Sequence, residues 1–380
     1  MRIKIIHTSD WQIGKVFRFV DNQTMGLLQE ARLEAINCLG EFAEKNDVCH
    51  ILVAGDVYDM EALSPRSLNQ PIERMRNFPG VRWHLLPGNH DPHRPNGLWD
   101  RLFRGTLPDN IYVHTRPEPV IFENESLVLL PAPLLHRKTL EDPTAYMDNL
   151  SLPEGLIRVG IAHGTVVGFG SDDNNIPNHI APDRPVRSGL SYLALGDWHG
   201  QRKINNRCWY SGTPETDGFD VLDGGKALLV EIDDPVADPK ITPFDTGRYR
   251  WIRLTERINR REDIDFLSEK IRSVDENLNR MLVHLKVEGT LSLGDREYFQ
   301  QQITDGVSAA LGFLRIDDSQ LLSSTTEEDL DRIDKRGFVR AAAEKLKRMT
   351  EEGNDSERGL AAEALQRLYL EHTKLEAERR

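Results

Sequence analysis

Five short apolar runs punctuate the first part of the chain, at residues 3–6, 50–54, 83–86, 157–162 and 192–195. Each is too short for a helix, and each gives way within a few positions to glycine or a polar side chain, as buried strands do. Longer segments of helical spacing lie between them. The clearest is 22–46, where Leu27, Leu28, Ala31, Ala35, Leu39 and Phe42 fall on one face. Strand-like runs alternating with helices over residues 1–245 predict an α/β fold, with sheets flanked by helices. A last strand is expected at 227–232. The Pro- and Asp-rich stretch after it, to about residue 243, has the composition of a domain boundary.

The pattern restarts at 248. Strands are predicted at 251–254 and 282–287, and helices at 261–279 and 296–311, which fits a small α+β domain spanning 248–325. A polar linker is expected at 323–328. From 329 to 380 the chain is rich in Ala, Glu, Lys, Arg and Leu. Phe338, Ala342, Leu346 and Met349 keep helical spacing, as do Ala361, Leu365, Leu368, His372 and Leu375, and Gly353-Asn354-Asp355-Ser356 separates the two stripes. Two helices with a turn are predicted. Their stripes either pack on the chain itself or dock on another one.

A length of 380 residues exceeds one average domain, so two or three are expected, and 39% hydrophobic residues suffice for a real core. Cys38, Cys49 and Cys208 follow no metal or disulfide spacing, which fits a reduced, cytoplasmic protein. The first residues read as a strand rather than a signal peptide, and no apolar stretch approaches the roughly 20 residues that span a bilayer. The net charge of -13 runs against the basic footprint usual in nucleic-acid binders. Bound cations would offset part of it locally.

The chemistry sits just past the strand ends: Asp10-Trp11-Gln12, Gly55-Asp56-Val57-Tyr58-Asp59, Gly88-Asn89-His90-Asp91, Ala162-His163-Gly164 and Gly196-Asp197-Trp198-His199. Any one of these is commonplace, since a histidine or Gly-Asp after a strand is usually structural. Five in order, each in the same context, point to a two-metal phosphoesterase. Two cations about 3.5–4 Å apart need a bridging carboxylate, and Asp56 is the best candidate. Asp10 would hold one metal and Asn89 the other, while His163 and His199 bring imidazole nitrogens. His90 is the natural proton donor or charge stabiliser for a leaving oxygen, and Asp59 and Asp91 are its candidate orienting partners. Of the other histidines only His93, just past the Asn89 loop, is a candidate phosphate contact.

This set resembles the calcineurin-like metallophosphoesterase superfamily over roughly residues 1–245. Within it, the chain is most similar to the SbcD-type nuclease subunits of SbcCD complexes. The finer likeness rests on His7-Thr8-Ser9-Asp10-Trp11, the Gly55–Asp59 and Pro87–Asp91 motifs, and Tyr210-Ser211-Gly212-Thr213-Pro214-Glu215. The resemblance implies a four-layer β-sandwich flanked by helices, with a capping domain at 248–325 and a C-terminal helical hairpin at 329–380. It also implies DNA and an SbcC-like coiled-coil ATPase as partners, a homodimer, and a role in DNA repair as a nuclease. Two positions depart from the family pattern, Gln12 and Asp197 standing where it has histidine. Carried over by position, one metal would see Asp10, Gln12, Asp56 and His199, and the other Asp56, Asn89, His163 and Asp197. Replacing imidazole with oxygen favours Mn²⁺ or Mg²⁺ over Zn²⁺. Two other readings stay open: a phosphodiesterase or phosphatase on a small molecule, and a non-catalytic adaptor whose site has degenerated at Gln12 and Asp197.

Overall fold

The computed structural model describes residues 2–168, 176–333 and 337–378. The chain divides into two compact units, Met1–Arg250 and Trp251–Arg380.

The first unit opens with parallel strands β1 (Ile3–Thr8), β2 (His50–Val53), β3 (Arg82–Leu85) and β4 (Ile111–Val113). They are linked through helices α1 (Asn22–Lys45), α2 (Pro65–Arg76) and α3 (Leu98–Phe103). The chain then builds a second sheet from β5 (Val120–Phe122), β6 (Leu127–Ala132) and β7 (Ile157–His163). A ribbon of β8 (Thr165–Val166) and β9 (His179–Ile180) and the short helix α4 (Arg184–Arg187) follow. The second sheet is completed by β10 (Tyr192–Gly196), β11 (Arg202–Asn205) and β12 (Cys208–Tyr210). Strands β13 (Lys226–Ile232) and β14 (Lys240–Asp245) return antiparallel to the first sheet. The orders are β14-β13-β1-β2-β3-β4 and β11-β12-β10-β7-β6-β5.

Alternation along the strands decides the layering. Ile5, Leu52, Ala54, Leu129, Val159, Ile161 and Ala194 meet in a core shared by both sheets. Their strand neighbours Ile6, Ile51, Val53, Trp83 and Leu85 face the other way, onto Leu33, Ile36 and Leu39 of α1 and Met75 of α2. On the second sheet, Val128, Leu130, Leu193 and Leu195 turn outward onto Met147 and Leu190. Both faces of both sheets are therefore covered, which explains why the strands read as unbroken apolar runs. Each fully buried Leu or Ile contributes about 1.5–3 kcal/mol. The predicted four-layer α/β sandwich is what the chain forms, with a thin outer layer on the second sheet.

Helix α1 starts where the carboxylate of Asp21 accepts from the Gln23 and Thr24 amides. Its buried face holds Leu28, Ala31, Leu33, Ala35, Ile36 and Leu39, while Leu27, predicted to face inward, is 49% exposed. The Pro- and Asp-rich stretch predicted as a boundary is instead the loop of the β13–β14 hairpin. Strand β14 lies at a sheet edge, mostly exposed, where Pro243 is tolerated and no apolar signal is needed.

The second unit has a sheet of order β15-β16-β17, from Arg250–Ile258, Met281–Ser292 and Phe313–Ser324. Helix α5 (Arg261–Ser273) and helix α6 (Leu293–Phe299), which runs into a π-helical stretch Gln300–Val307, close one side of it with Ile264, Leu267, Ile271, Phe299 and Ile303. The predicted 323–328 linker is mostly the end of β17 and the start of α7 (Glu327–Ile333). Helices α8 (Phe338–Glu352) and α9 (Asp355–Glu378) form the hairpin. Ala343, Leu365 and Tyr369 from it are buried with Leu330, Ile333 and the Leu293 side chain of α6. Part of the stripe thus packs on the chain's own second unit. Phe338 is 88% exposed and Leu360 67%.

Candidate metal centre

All five sequence motifs lie at the C-terminal ends of parallel strands: β1, β2 and β3 of the first sheet, β7 and β10 of the second. Open α/β sheets place their sites there. Beyond β1 and β2 the loops stay paired, with Asp10 N donating to Gly55 O at 3.0 Å and Gln12 N to Asp56 O at 2.9 Å. That pairing sets Asp10 beside Asp56. Asp10, Gln12, Asp56 and Asp197 all have positive φ, at 54°, 43°, 52° and 106°. Backbone strain of this kind costs of order 1–3 kcal/mol per residue and clusters at functional sites. Glycine is required alongside: a Cβ on Gly88 would sit 2.2 Å from Asp56 Oδ1, and one on Gly55, at φ +90°, would strike the His163 ring.

One half of the centre gathers Asp56, Asn89, His163 and Asp197. His163 is fully buried and its Nδ1 donates to Ala54 O at 2.9 Å. This turns Nε2 toward Asp56 Oδ2 at 3.5 Å and Asp197 Oδ1 at 3.8 Å. Asn89 donates from Nδ2 to Asp197 Oδ1 at 3.1 Å, and Thr165 Oγ1 donates to Asp197 Oδ2 at 2.8 Å. Asn89 Oδ1 and His163 Nε2 are buried with no hydrogen-bond partner among the described residues. Ligand atoms of Asp10, Asp56 and His163 lie within 4.8 Å of one another. Burial alone would lower the His163 pKa, but the Asp56, Asp10 and Asp197 charges push it up to about 9. Crowded carboxylates beside an unpartnered amide oxygen and a buried imidazole make a site that a divalent cation would neutralise, releasing the His163 proton.

The other half holds Asp10, Gln12 and His199. Asp10 accepts from Ser9 Oγ at 2.6 Å and from Asp197 N at 3.2 Å. His199 Nε2 is 3.8 Å from Asp10 Oδ1, and its Nδ1 pairs with Asp217 Oδ2 at 2.9 Å. Gln12, expected to turn its amide oxygen to a metal, turns it to Lys15 instead, whose Nζ donates to it at 2.6 Å. The amide nitrogen then faces His199 Nε2 at 3.1 Å. Lys15 and the buried Arg32 both pair with Asp217. Burial would raise the Asp217 pKa, yet the His199 hydrogen bond and the Arg32 and Lys15 charges hold it well below the usual carboxylate range.

His90 borders both halves. Its Nδ1 bonds the Asp59 backbone oxygen at 2.9 Å, with the Asp59 carboxylate 3.8 Å away, and its Nε2 faces Asp56 Oδ2 at 4.0 Å. The Asp91 carboxylate does not reach this ring. It is buried, accepting from Gly88 N at 2.7 Å and Tyr58 N at 3.0 Å, where it ties the β2 and β3 loops together. His93, the candidate phosphate contact, pairs with Asp100 at 3.1 Å.

Lys15, Arg32 and Asp217 belong to no motif, and sequence reasoning missed them. The Tyr210–Glu215 block stood out in the sequence without its purpose, which is to brace the centre. Tyr210 donates to Gly164 O at 2.8 Å, Ser211 meets Ser9 Oγ at 2.9 Å, and Thr213 donates to Asp10 O at 2.9 Å.

The family model described as calcineurin-like phosphoesterase matches residues 3–177. Among curated proteins, the chain is 23% identical over 319 residues to the SbcD subunit of nuclease SbcCD from Staphylococcus epidermidis, covering 74% of this chain and 82% of that protein. Among solved structures, TT1561 of Thermus thermophilus aligns with a TM-score of 0.40 at 12% identity, over 65% of this chain and all of that one. The purple acid phosphatase PPD1 of yellow lupin aligns with a TM-score of 0.41 at 10% identity, over 65% of this chain and 52% of that one.

Proposed function

We propose that this chain, a calcineurin-like phosphoesterase over residues 3–177, is a metal-dependent phosphodiesterase that hydrolyses DNA. The observation that carries this reading is the pair of buried, unpartnered polar atoms, Asn89 Oδ1 and His163 Nε2, beside the Asp56 and Asp197 carboxylates. A divalent cation bound there would neutralise charge on a phosphoryl oxygen and acidify water. The oxygen-rich donors favour Mn²⁺, then Mg²⁺, over Zn²⁺. Asp56, Asn89, His163 and Asp197 are the proposed metal-binding side chains, with Asp10 and His199 beside them on the Gln12 side of the centre. Gln12 is left out of that set because its amide oxygen is held by Lys15.

His90 delivers the proton. Its Nδ1 hydrogen is held by Asp59 O, so the ring cannot spin, and Nε2 is left toward the space above Asp56. A proton held on Nε2 is given to the departing sugar oxygen as its bond to phosphorus breaks. Asp59 orients the ring and Asp91 fixes the loops.

DNA as the substrate draws on the likeness to the SbcCD nuclease subunit. It also draws on Trp198, 48% exposed between Asp197 and His199, beside a cleft of about 360 Å³ that Arg202 and Leu222 also line. Exposed aromatic side chains of this kind stack on unpaired bases. An SbcC-like coiled-coil ATPase is the proposed partner, docking on the hairpin, where Phe338 and Leu360 are exposed, and supplying positive charge to offset this chain's net -13. Three free cysteines fit a reducing, cytoplasmic setting. The charge of -13 favours one second reading, a small phosphodiester as substrate. Nuclease assays on single- and double-stranded DNA with Mn²⁺ decide between them. Chelator-sensitive cleavage of DNA is expected. Turnover of small diesters alone would move the assignment to the second reading.

A further inference from the structure

The two halves of the centre are not equivalent. In the Asn89–His163–Asp197 half, Asn89 Oδ1 and His163 Nε2 are buried with no partner among the described residues, and Nε2 lies 3.8 Å from Asp197 Oδ1. In the half containing Gln12 the side-chain polar atoms are already satisfied. The turn from Gln12 to Lys15 is closed by Lys15 N donating to Gln12 O at 3.1 Å, with Gly14 at φ +93°. It folds the lysine back over its own glutamine. The ammonium then bridges Gln12 Oε1 at 2.6 Å and Asp217 Oδ2 at 2.5 Å.

That cation settles the orientation of the Gln12 amide. Flipping it would set two N–H groups against the three of Lys15, donor against donor. With oxygen on Lys15, the amide nitrogen faces His199 Nε2 at 3.1 Å, and His199 Nδ1 is taken by Asp217. Lys15 occupies the Gln12 oxygen and the Gln12 amide faces His199 Nε2, so both side chains would have to leave these partners to bind a metal. A divalent ion would have to displace the amide and sit one side chain away from a fixed positive charge. Asp217, 2% exposed and shared by Lys15, Arg32 and His199, anchors that charge.

From this we infer that the chain binds a single divalent cation, at Asp56, Asn89, His163 and Asp197, and that the Lys15 ammonium stands in for the second. The inference rests on the metal-dependent reading above and narrows its stoichiometry.

The test is metal content and Mn²⁺ electron paramagnetic resonance on the full-length protein, after Mn²⁺ loading and dialysis. The wild type is expected to hold one Mn²⁺ per chain with a mononuclear spectrum, and His163→Ala to hold none. A Gln12→His, Lys15→Met double variant, which supplies an imidazole and removes the ammonium, is expected to hold two and to show exchange coupling. Two exchange-coupled ions in the wild type would overturn the inference and leave the metal-dependent reading standing. So would a double variant that melts like the wild type yet still holds one ion. No bound Mn²⁺ in the wild type would overturn both.

Discussion

A single side chain, His90, separates chemistry from scaffolding. Its ring touches Asp59 O and faces Asp56, yet it completes neither group of buried acceptors. His90→Asn is expected to cost roughly 10²–10⁴-fold in kcat while Mn²⁺ content stays at the wild-type level. Metal analysis beside single-turnover kinetics checks this, and loss of bound Mn²⁺ would recast His90 as a ligand. Asp217 has the opposite profile. It is 2% exposed and balances Arg32, equally buried, together with Lys15 and His199. Asp217→Asn strips the charge from a buried pair and is expected to destabilise the first unit by roughly 3–5 kcal/mol. A denaturant midpoint unchanged from wild type would show that Arg32 finds another counter-ion. These two residues also mark the limits of legibility. His90 stood out because its neighbours Asn89 and Asp91 form a motif after a strand. Asp217 did not, because its partners Lys15 and Arg32 lie about two hundred positions away, and only the fold brings them together.

Across β2, β3 and β4, three histidines make a ladder. His50 Nδ1 meets His84 Nε2 at 2.9 Å, His84 Nδ1 meets His114 Nε2 at 3.0 Å, and His50 Nε2 bonds Glu125 at 2.6 Å. The parallel register accounts for it, since His50 pairs with Arg82 and His84 with Tyr112, so each next histidine lies two residues further along, on the same face. In the sequence these histidines read only as structural or on the surface, and they are buried. Burial is the main reason all three pKa values fall, His114 to about 4, with the neighbouring imidazoles adding to the drop at His84. The unfolded chain takes up protons near pH 6.5 while the folded ladder refuses them, so stability is full above that pH and declines as pH falls toward 4. Between pH 7.5 and 5.5 the urea midpoint of the wild type is expected to fall relative to that of His114→Phe. Equal changes in the two would mean that His114 is not part of this dependence. Other elements were legible to different degrees. Strands β1, β2, β3, β7, β10 and β13 were clear as apolar runs, while β4, β5, β11 and β12, short or half-exposed, and the buried β6 went unread. The edge strands β14 and β17 were not clear either, since half-exposed strands rich in Asp and Ser carry little apolar signal.

On the scale of the whole chain, the C-terminal helices are a part of the second unit as well as a proposed docking surface. Asp329 of α7 accepts from the Leu293 and Gly294 amides at the start of α6, and Leu293 is buried with Leu365 and Tyr369. Truncation after Thr325 is therefore expected to lower the melting temperature of the second unit and leave that of the first unchanged. Scanning calorimetry of the shortened chain separates the two, and a shift in the first transition would contradict the division at residue 250. In the first unit, Asp56 and Asn89 hang from one sheet, and His163 and Asp197 from the other. A cation gripped by both groups works as a rivet through the seam of the sandwich. At 100 times its Kd, Mn²⁺ should add about 2.7 kcal/mol to the stability of the folded first unit. Chelation withdraws the rivet without cutting any covalent bond. The seam is then where the sandwich should begin to part, and amide exchange at Ala54, Gly55 and Gly196 should quicken before exchange deeper in β1 and β7.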